Sequence, residues 1–397
     1  MTLKVGSSLS AEIAQEPAWL CNYADLVTPN YSEGYIRKWA SSWVPPYLLT
    51  KDTLIGEPIN VQYYNHLLAI PNCFTVFQRR EESIFPIDSY SSTLAESYHR
   101  QTYGHVHNLE NDHLRAQQAE IAHHILLRGK IGFLLLWHQD HSNYWHFTFD
   151  IAFRLFYFLS IYPSLASRLE IIAVGCDRLK PFQIQIIEAI MGSLAKVICY
   201  PTSTLISSSI FIAPTQSVLP RKQWLQAYSS FLKQRLSNSK VTFYSTERFD
   251  KSSDGTHKRV YISRGNAKNP RFITNEKCLV NLLQIYGFSI HDPGTLTVSE
   301  QACLFSGADF IIGAHGSAFV NMLYMKNSAT VIEITSSEYD PFHDFLLARQ
   351  LGLTFVRLRQ SLKQQITGLD HVHHRPFEVD LKTVTRLLDR LNLERLV

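Results

Sequence analysis

The residues that most invite chemistry lie in one short run, Gly313-Ala314-His315-Gly316-Ser317-Ala318-Phe319-Val320-Asn321-Met322. Two glycines follow an apolar strand, Phe310-Ile311-Ile312, and a helix is predicted to start at once, near Ser317. Glycine lets a ligand approach the backbone. The free N–H groups and the dipole at a helix start favour an anion. A plain tight turn has the same composition, so the run by itself leaves both open. It is neither the dinucleotide fingerprint nor the lysine-bearing phosphate loop. Arg264 follows the predicted strand Val260-Tyr261-Ile262-Ser263, where a guanidinium clamps a diphosphate with two hydrogen bonds or simply points to solvent. Glu333 interrupts the apolar strand Val331 to Ile334. It needs a partner there, either a ribose hydroxyl or an internal cation.

A second cluster is Asn143-Tyr144-Trp145-His146-Phe147-Thr148-Phe149-Asp150. His146 and Asp150 are four apart, one above the other on a predicted helix. Asp150 there serves either as a proton acceptor for a hydroxyl or as a helix-start carboxylate beside a half-buried histidine. Three histidine groups invite a metal. His105, His107, Asp112 and His113 have too long a gap between the pairs for a dimetal motif. His138, Asp140 and His141, and His371, His373 and His374, fall on predicted loops. No Asp-x-Asp occurs, and no metal is expected.

These residues need elements to hold them. Residues 1–125 give weak signals, with short strands, loops and a polar helix predicted near Asp112 to Arg128. From Ile131 the pattern alternates. Strands are expected at Ile131 to Trp137, Ile171 to Val174 and Val197 to Tyr200, with helices at Tyr144 to Ser160 and Phe182 to Leu194. The Ser-, Thr- and Pro-rich stretch Thr202 to Pro220 reads as a domain boundary, placing one domain at 1–215 and a second at 216–397. A helix at Lys222 to Leu236 opens the second. Five strands and four helices then alternate. They include a helix capped by Asn275 and ended by Gly287, and a capping box at Thr297-Val298-Ser299-Glu300. A last helix, Leu381 to Leu393, has an apolar face. This is α/β patterning with parallel sheets.

Composition narrows the function classes. A chain of 397 residues favours two domains. The net charge of +4 comes from scattered basic residues, unlike the concentrated basic face of a nucleic-acid binder. Six cysteines, Cys21, Cys73, Cys176, Cys199, Cys278 and Cys303, form no CxxC and are expected as buried free thiols. Met1 to Ser10 lacks a signal pattern. Apolar runs are too short for a membrane span. A cytoplasmic chain is expected, with room for peripheral contact at the inner membrane.

Taken together, these segments resemble glycosyltransferase family 61, over about residues 130 to 360. Gly313, His315, Gly316, Asn321 and Glu333 match its Gly-rich motif in order. Ser263, Arg264, Arg271, Asn275 and Glu276 match an upstream motif, Asp292-Pro293 another, and Asn143, Tyr144, His146 and Asp150 the N-terminal one. Ser317-Ala318-Phe319-Val320 departs from the usual Ala-Gly-Leu-Thr, and Phe147 replaces the common Trp.

The resemblance implies two Rossmann-like domains facing a cleft, the GT-B architecture. It implies inverting transfer from a nucleotide sugar, with UDP the expected carrier, to a glycan or lipid-linked glycan, without an essential metal or other cofactor. Arg264, Arg271, Asn275, Gly313, His315, Gly316, Ser317, Ala318, Asn321 and Glu333 would then bind the donor. Asp150 and His146 would serve catalysis, and Asn143 and Tyr144 the acceptor side. The absent signal fits the bacterial branch that builds capsule and lipopolysaccharide. A non-catalytic relative that holds a nucleotide sugar or glycan is the alternative. A hydrolase is not indicated, because neither a Gly-x-Ser-x-Gly elbow nor a complete metal set is present.

Overall fold

The computed structural model describes residues 61–69, 76–80, 83–87, 123–136, 143–161, 163–174, 178–192, 197–200, 204–214, 222–237, 258–264, 273–336, 343–360 and 376–395. The described residues fall into two compact units, divided between Tyr228 and Ser229. Both are α/β.

The first unit holds a seven-stranded sheet. Its strands are β1 (Val61–Ala69), β2 (Val76–Arg80), β3 (Ser83–Ile87), β4 (His123–Leu136), β5 (Leu169–Val174), β6 (Val197–Tyr200) and β7 (Thr204–Pro214), in the order β3-β2-β1-β7-β4-β5-β6. The apolar run at Ile131 lies in β4, which pairs in parallel with both β5 and β7. A strand paired on both sides within a parallel stretch of sheet commonly reads as continuous apolar sequence. Two expectations need correction. Residues 123–128, expected in a polar helix, extend β4, because their backbone pairs with β7 from His123 onward. The Ser/Thr-rich stretch expected to be a boundary contains β7, which lies between β4 and β1. Two pairing partners outweigh the weak turn signal of its composition. The sheet is mixed rather than all-parallel, since β1 pairs antiparallel with β2 and β7.

The helix expected at Tyr144 forms as a π-helical stretch, His146–Ala152, running into α1 (Phe153–Ile161). Next come α2 (Pro181–Met191) and α3 (Lys222–Ser237). The unit division falls inside α3. In its first half, Tyr228 is fully buried, donates to the Thr148 carbonyl at 2.9 Å and packs its ring 5.3 Å from Phe153. The next residue, Ser229, belongs to the second unit and donates to the Leu323 carbonyl at 2.6 Å.

The second unit is a five-stranded, fully parallel sheet: β8 (Lys258–Ile262), β9 (Phe288–His291), β10 (Ala308–Ala314), β11 (Thr330–Ser336) and β12 (Thr354–Gln360), in the order β12-β11-β10-β8-β9. The connecting helices are α4 (Glu276–Ile285), α5 (Val298–Ser306) and α6 (His343–Gln350), and α7 (Leu381–Arg390) closes the chain's described part. Local signals act as expected. Gly287 ends the α4 turn at φ 72°. Glu300 N–H donates to Thr297 Oγ1, and Thr297 N–H to Glu300 Oε2 at 2.8 Å. Asn275 departs from its expected capping role. It sits before α4, but its side chain exchanges two hydrogen bonds with the Val379 backbone. The segment after the Gly-rich turn is a 3-10 helix, Ser317–Tyr324.

Leu279 and Leu283 of α4, Val384, Leu387 and Leu388 of α7, and Ile332 and Ile334 of β11 share one buried cluster on one face of the sheet. Strand alternation sends Glu333 to the opposite face, where α6 lies. The remaining thiols are less buried than expected. Cys199 and Cys303 are half-buried and Cys278 is exposed, since helix and strand positions outside the core stripe carry them. Cys21, Cys73 and Cys176 lie outside the described residues.

Candidate functional site

The strand order of the second unit decides where a ligand can enter. From β8 the chain steps outward to β9, then returns across to β10 and proceeds the other way to β11 and β12. The reversal lies between β8 and β10. In open parallel sheets the helices on either side of such a point diverge, leaving a crevice at the carboxyl ends of the strands. Ser263 and Arg264 follow β8, and His315, Gly316 and Ser317 follow β10.

The structure brings these residues together. Arg264 Nη1 donates to the His315 carbonyl at 2.7 Å. A Cβ added at Gly316 would collide with the same nitrogen, so glycine there is what seats the guanidinium. Gly313 has another task. It lies in register with Ile262 and Glu333, and a Cβ would come 3.0 Å from the Ile262 side chain and carbonyl. Close strand packing, rather than ligand contact, requires it. Ser317 is exposed at the start of the 3-10 helix, and Gly316 and Ala318 are half-buried. The first N–H groups of a helix have no partner within it.

Behind the turn lies a buried ionic cluster. His315 Nδ1 is 2.5 Å from Glu333 Oε1 and 2.9 Å from Asp344 Oδ2. Arg357 meets Glu333 Oε2 through Nε at 2.6 Å and Nη2 at 2.5 Å. Glu333 and Arg357 are register partners on β11 and β12. Glu333 and Asp344 have no exposed surface. Burial alone would push Glu333 up, but Arg357 and His315 outweigh it and hold the carboxyl well below its usual range. Burial would likewise take the proton from His315, yet the charge of Glu333 and the bond to Asp344 raise its pKa above the ordinary histidine value. Burial, then the charge of Glu333, pushes Asp344 up to about 7. His343, His315 and Asp344 bring candidate ligand atoms within 4.8 Å of one another. The ring nitrogen facing Asp344 is also bonded to Glu333, so carboxylates fill that side and the group is an ion-pair cluster.

Glu333 meets internal cations with both oxygens rather than standing open to a ribose. Asn321 is fully buried, and its amide donates to Gln301 of α5 at 2.7 Å. Asn275 is committed to Val379. These three support the turn from behind, while Arg264, His315, Gly316, Ser317 and Ala318 form it. Phe319, one of the departures from the family motif, is fully buried in the core. Arg271 lies outside the described residues, as do His105, His107, Asp112, His113, His138, Asp140, His141, His371, His373 and His374.

In the first unit, Asn143 Oδ1 accepts from Trp145 N–H at 2.9 Å, fixing the helix start. Tyr144 packs edge-on against Phe182 at 5.3 Å, and Phe147 is buried on the same ring. His146 is half-buried, and the backbone of Asp150 lies in the π-helical stretch, a winding that recurs at functional sites. The side chain of Asp150 is outside the described set. Asp344 and Arg357 escaped sequence reading. The available signal was Arg357, a charge inside the buried strand Thr354-Phe355-Val356-Arg357-Leu358, one strand from Glu333.

Residues 144–332 match the family model for glycosyltransferase 61. This segment belongs to glycosyltransferase family 61. The match supports a sugar-transferring enzyme, which would bind a sugar donor and an acceptor. No curated protein matches the chain. The matched segment contains Arg264, His315 and Gly316 at the switch point, and His146 and Asp150 in the first unit. It stops one residue before Glu333, so Glu333, Asp344 and Arg357 lie beyond it.

The cluster has a measurable consequence. Arg357→Met keeps the length of the side chain but leaves the Glu333 carboxylate buried beside a smaller positive charge. Breaking a buried pair from one side costs about 3–5 kcal/mol. Chemical denaturation at pH 7 should show a loss of that size. Adding Glu333→Gln should recover part of it, and a single variant as stable as the wild type would mean that the pair does not hold the strand centre.

Proposed function

We propose that this family 61 enzyme is an inverting glycosyltransferase that moves a sugar from a UDP-linked donor to a hydroxyl of a glycan or lipid-linked glycan acceptor. The observation that carries the proposal is the meeting of Arg264, His315 and Gly316 at the β8/β10 switch point. A leaving nucleoside diphosphate gains charge as the glycosidic bond breaks. Cations and N–H groups fixed in advance stabilise that charge without reorganising. Arg264, the imidazole of His315 and the start of the 3-10 helix supply such groups on one turn. Arg271 is assigned to the same donor.

In this account the two α/β units are the two Rossmann-like domains of the GT-B architecture, and the first carries the acceptor. An inverting displacement needs a base beside the attacking hydroxyl and forms no covalent enzyme intermediate. Asp150 is assigned as that base, with His146, Asn143 and Tyr144 on the acceptor side. A carboxylate of ordinary pKa is ionised at pH 7 and accepts the proton at hydrogen-bond distance. The absence of Asp-x-Asp, together with the cations at the turn, supports transfer without an essential metal. Among the described residues no helix is long and apolar enough to cross a membrane. We place the enzyme in surface polysaccharide synthesis, capsule or lipopolysaccharide, at the cytoplasmic side of the inner membrane.

Three measurements test this. UDP should raise the melting temperature, and Arg264→Ala should weaken UDP binding by about 1.5–3 kcal/mol, the range for hydrogen bonds to charged groups. If neither UDP nor any other nucleotide stabilises the wild type, the donor assignment is wrong. Turnover should survive EDTA, whereas complete loss restored by manganese or magnesium would overturn metal independence. Asp150→Asn should leave UDP affinity nearly unchanged and cut turnover by about 10²–10⁴-fold, the usual contribution of general-base catalysis. Near-normal turnover in that variant would pass the base role to another group.

A further inference from the structure

We propose that Asp344 is a positioning residue that keeps a proton on His315, so that the imidazole meets the donor diphosphate as a fixed cation. The inference rests on the donor site proposed above for the turn, but the two are separable by experiment.

The His315 ring is held redundantly. Glu333 alone, 2.5 Å from Nδ1, is enough to orient the ring. Asp344 brings a second carboxylate to the same nitrogen at 2.9 Å. It has no exposed surface; besides His315 it faces the Glu333 carboxyl, which helps to push its pKa up, and His343 Nε2 at 3.9 Å. Burying an ionisable group is costly unless a charge nearby compensates.

Charge balance identifies that compensation. Arg357 and Glu333 already neutralise each other. Without Asp344, a buried His315 would sit beside a neutral pair, and burial would favour the uncharged ring. Above the raised pKa of about 7, Asp344 is ionised, the cluster carries one excess negative charge, and a proton on the imidazole cancels it. The direction of the His315 shift agrees. Every charged group facing His315 enters this balance. Glu333 comes from β11, Asp344 and His343 from α6, Arg357 from β12 beyond Glu333, and Arg264 from the end of β8. His343 lies edge-on with ring centroids 5.7 Å apart. Arg264, bonded to the His315 carbonyl, opposes the added charge, as does His343 when protonated. The two carboxylates are at hydrogen-bond distance and outweigh them.

The ring geometry then gives the charge a direction. Nδ1 is held by the carboxylates, and Nε2 lies across the ring from them. A protonated His315 beside Arg264 gives the turn two cations, close to the charge of a diphosphate. Donor binding should therefore weaken as pH rises through the raised pKa of His315, rather than through the ordinary histidine range.

The test uses the full chain with labelled histidine. NMR of the imidazole carbons follows each ring against pH, and His315→Asn identifies the signal among the 17 histidines. The wild-type midpoint should lie above about 6.5, the unperturbed value. Asp344→Asn should lower it by about one unit or more, and Asp344→Glu should restore most of the shift. UDP affinity, measured by calorimetry across pH, should fall roughly tenfold in Asp344→Asn near pH 7.5, the equivalent of one pKa unit. The gap to wild type should close at lower pH. A merely structural role predicts equal loss of affinity at every pH and an unmoved midpoint, and that result overturns the proposal. If Asp344→Asn does not fold, the wild type still decides, because a His315 midpoint at or below 6.5 overturns it. A midpoint that moves as expected in a chain that ignores UDP at all pH values overturns the donor assignment, while the proton-holding role of Asp344 stands on the NMR result.

Discussion

A carboxylate without solvent cannot remain ionised unless a cation is built in beside it. Glu333 is such a carboxylate, at the middle of β11 with no exposed surface. Much of the second unit follows from satisfying it. Arg357 must stand opposite on β12, which pins the register of the two strands. His315 must fold back over the end of β10, which fixes the course of the chain through the Gly-rich turn. Asp344 must sit in the first turn of α6, which ties that helix to the same point. Four elements are thus located by one small group of charges.

The same group explains why a turn of small residues can hold a defined shape. Gly313 and Gly316 remove side chains where neighbours come close, one for Ile262 and one for Arg264. Glycines alone would leave the turn loose, since they lose more conformational freedom on ordering than other residues. The turn is instead held from behind by His315, whose own N–H also donates to the Ile334 carbonyl at 3.0 Å, and by Asn321, tied to Gln301. Rigid support behind and exposed backbone in front is the arrangement that preorganised charge stabilisation needs.

The two units reach their folds by different routes. The second is assembled from local signals that agree with one another: a capping box, a positive-φ glycine and short connections between parallel strands. The first depends more on long-range pairing. β7 brings together β4 and β1, segments distant in sequence, and its own composition reads as linker. The π-helical turn at His146–Ala152 likewise has no local sequence signature and forms where the helix enters the aromatic packing around Phe153 and Tyr228.

The sequence by itself determined the parallel β/α alternation of the second half, the placement of Arg264 and the Gly-rich turn at strand ends, and the helix boundaries set by Thr297 and Gly287. These depend on periodicity and on neighbours a few residues apart. The motifs at His315 and Asp150 also carried the family resemblance. Tertiary structure decided what depends on partners far along the chain. It showed that β8 and β10 are adjacent, so that Arg264 reaches the carbonyl of His315, 51 residues on. It resolved Glu333 in favour of internal cations, 24 residues away at Arg357 and 18 at His315. It turned Asn275 from a cap into a clamp on Val379, and a Ser-rich linker into a central strand. A buried charge announces that a partner exists, but only the packed sheet brings that partner to within 3 Å, because register and crossover, not spacing in the chain, set which side chains meet.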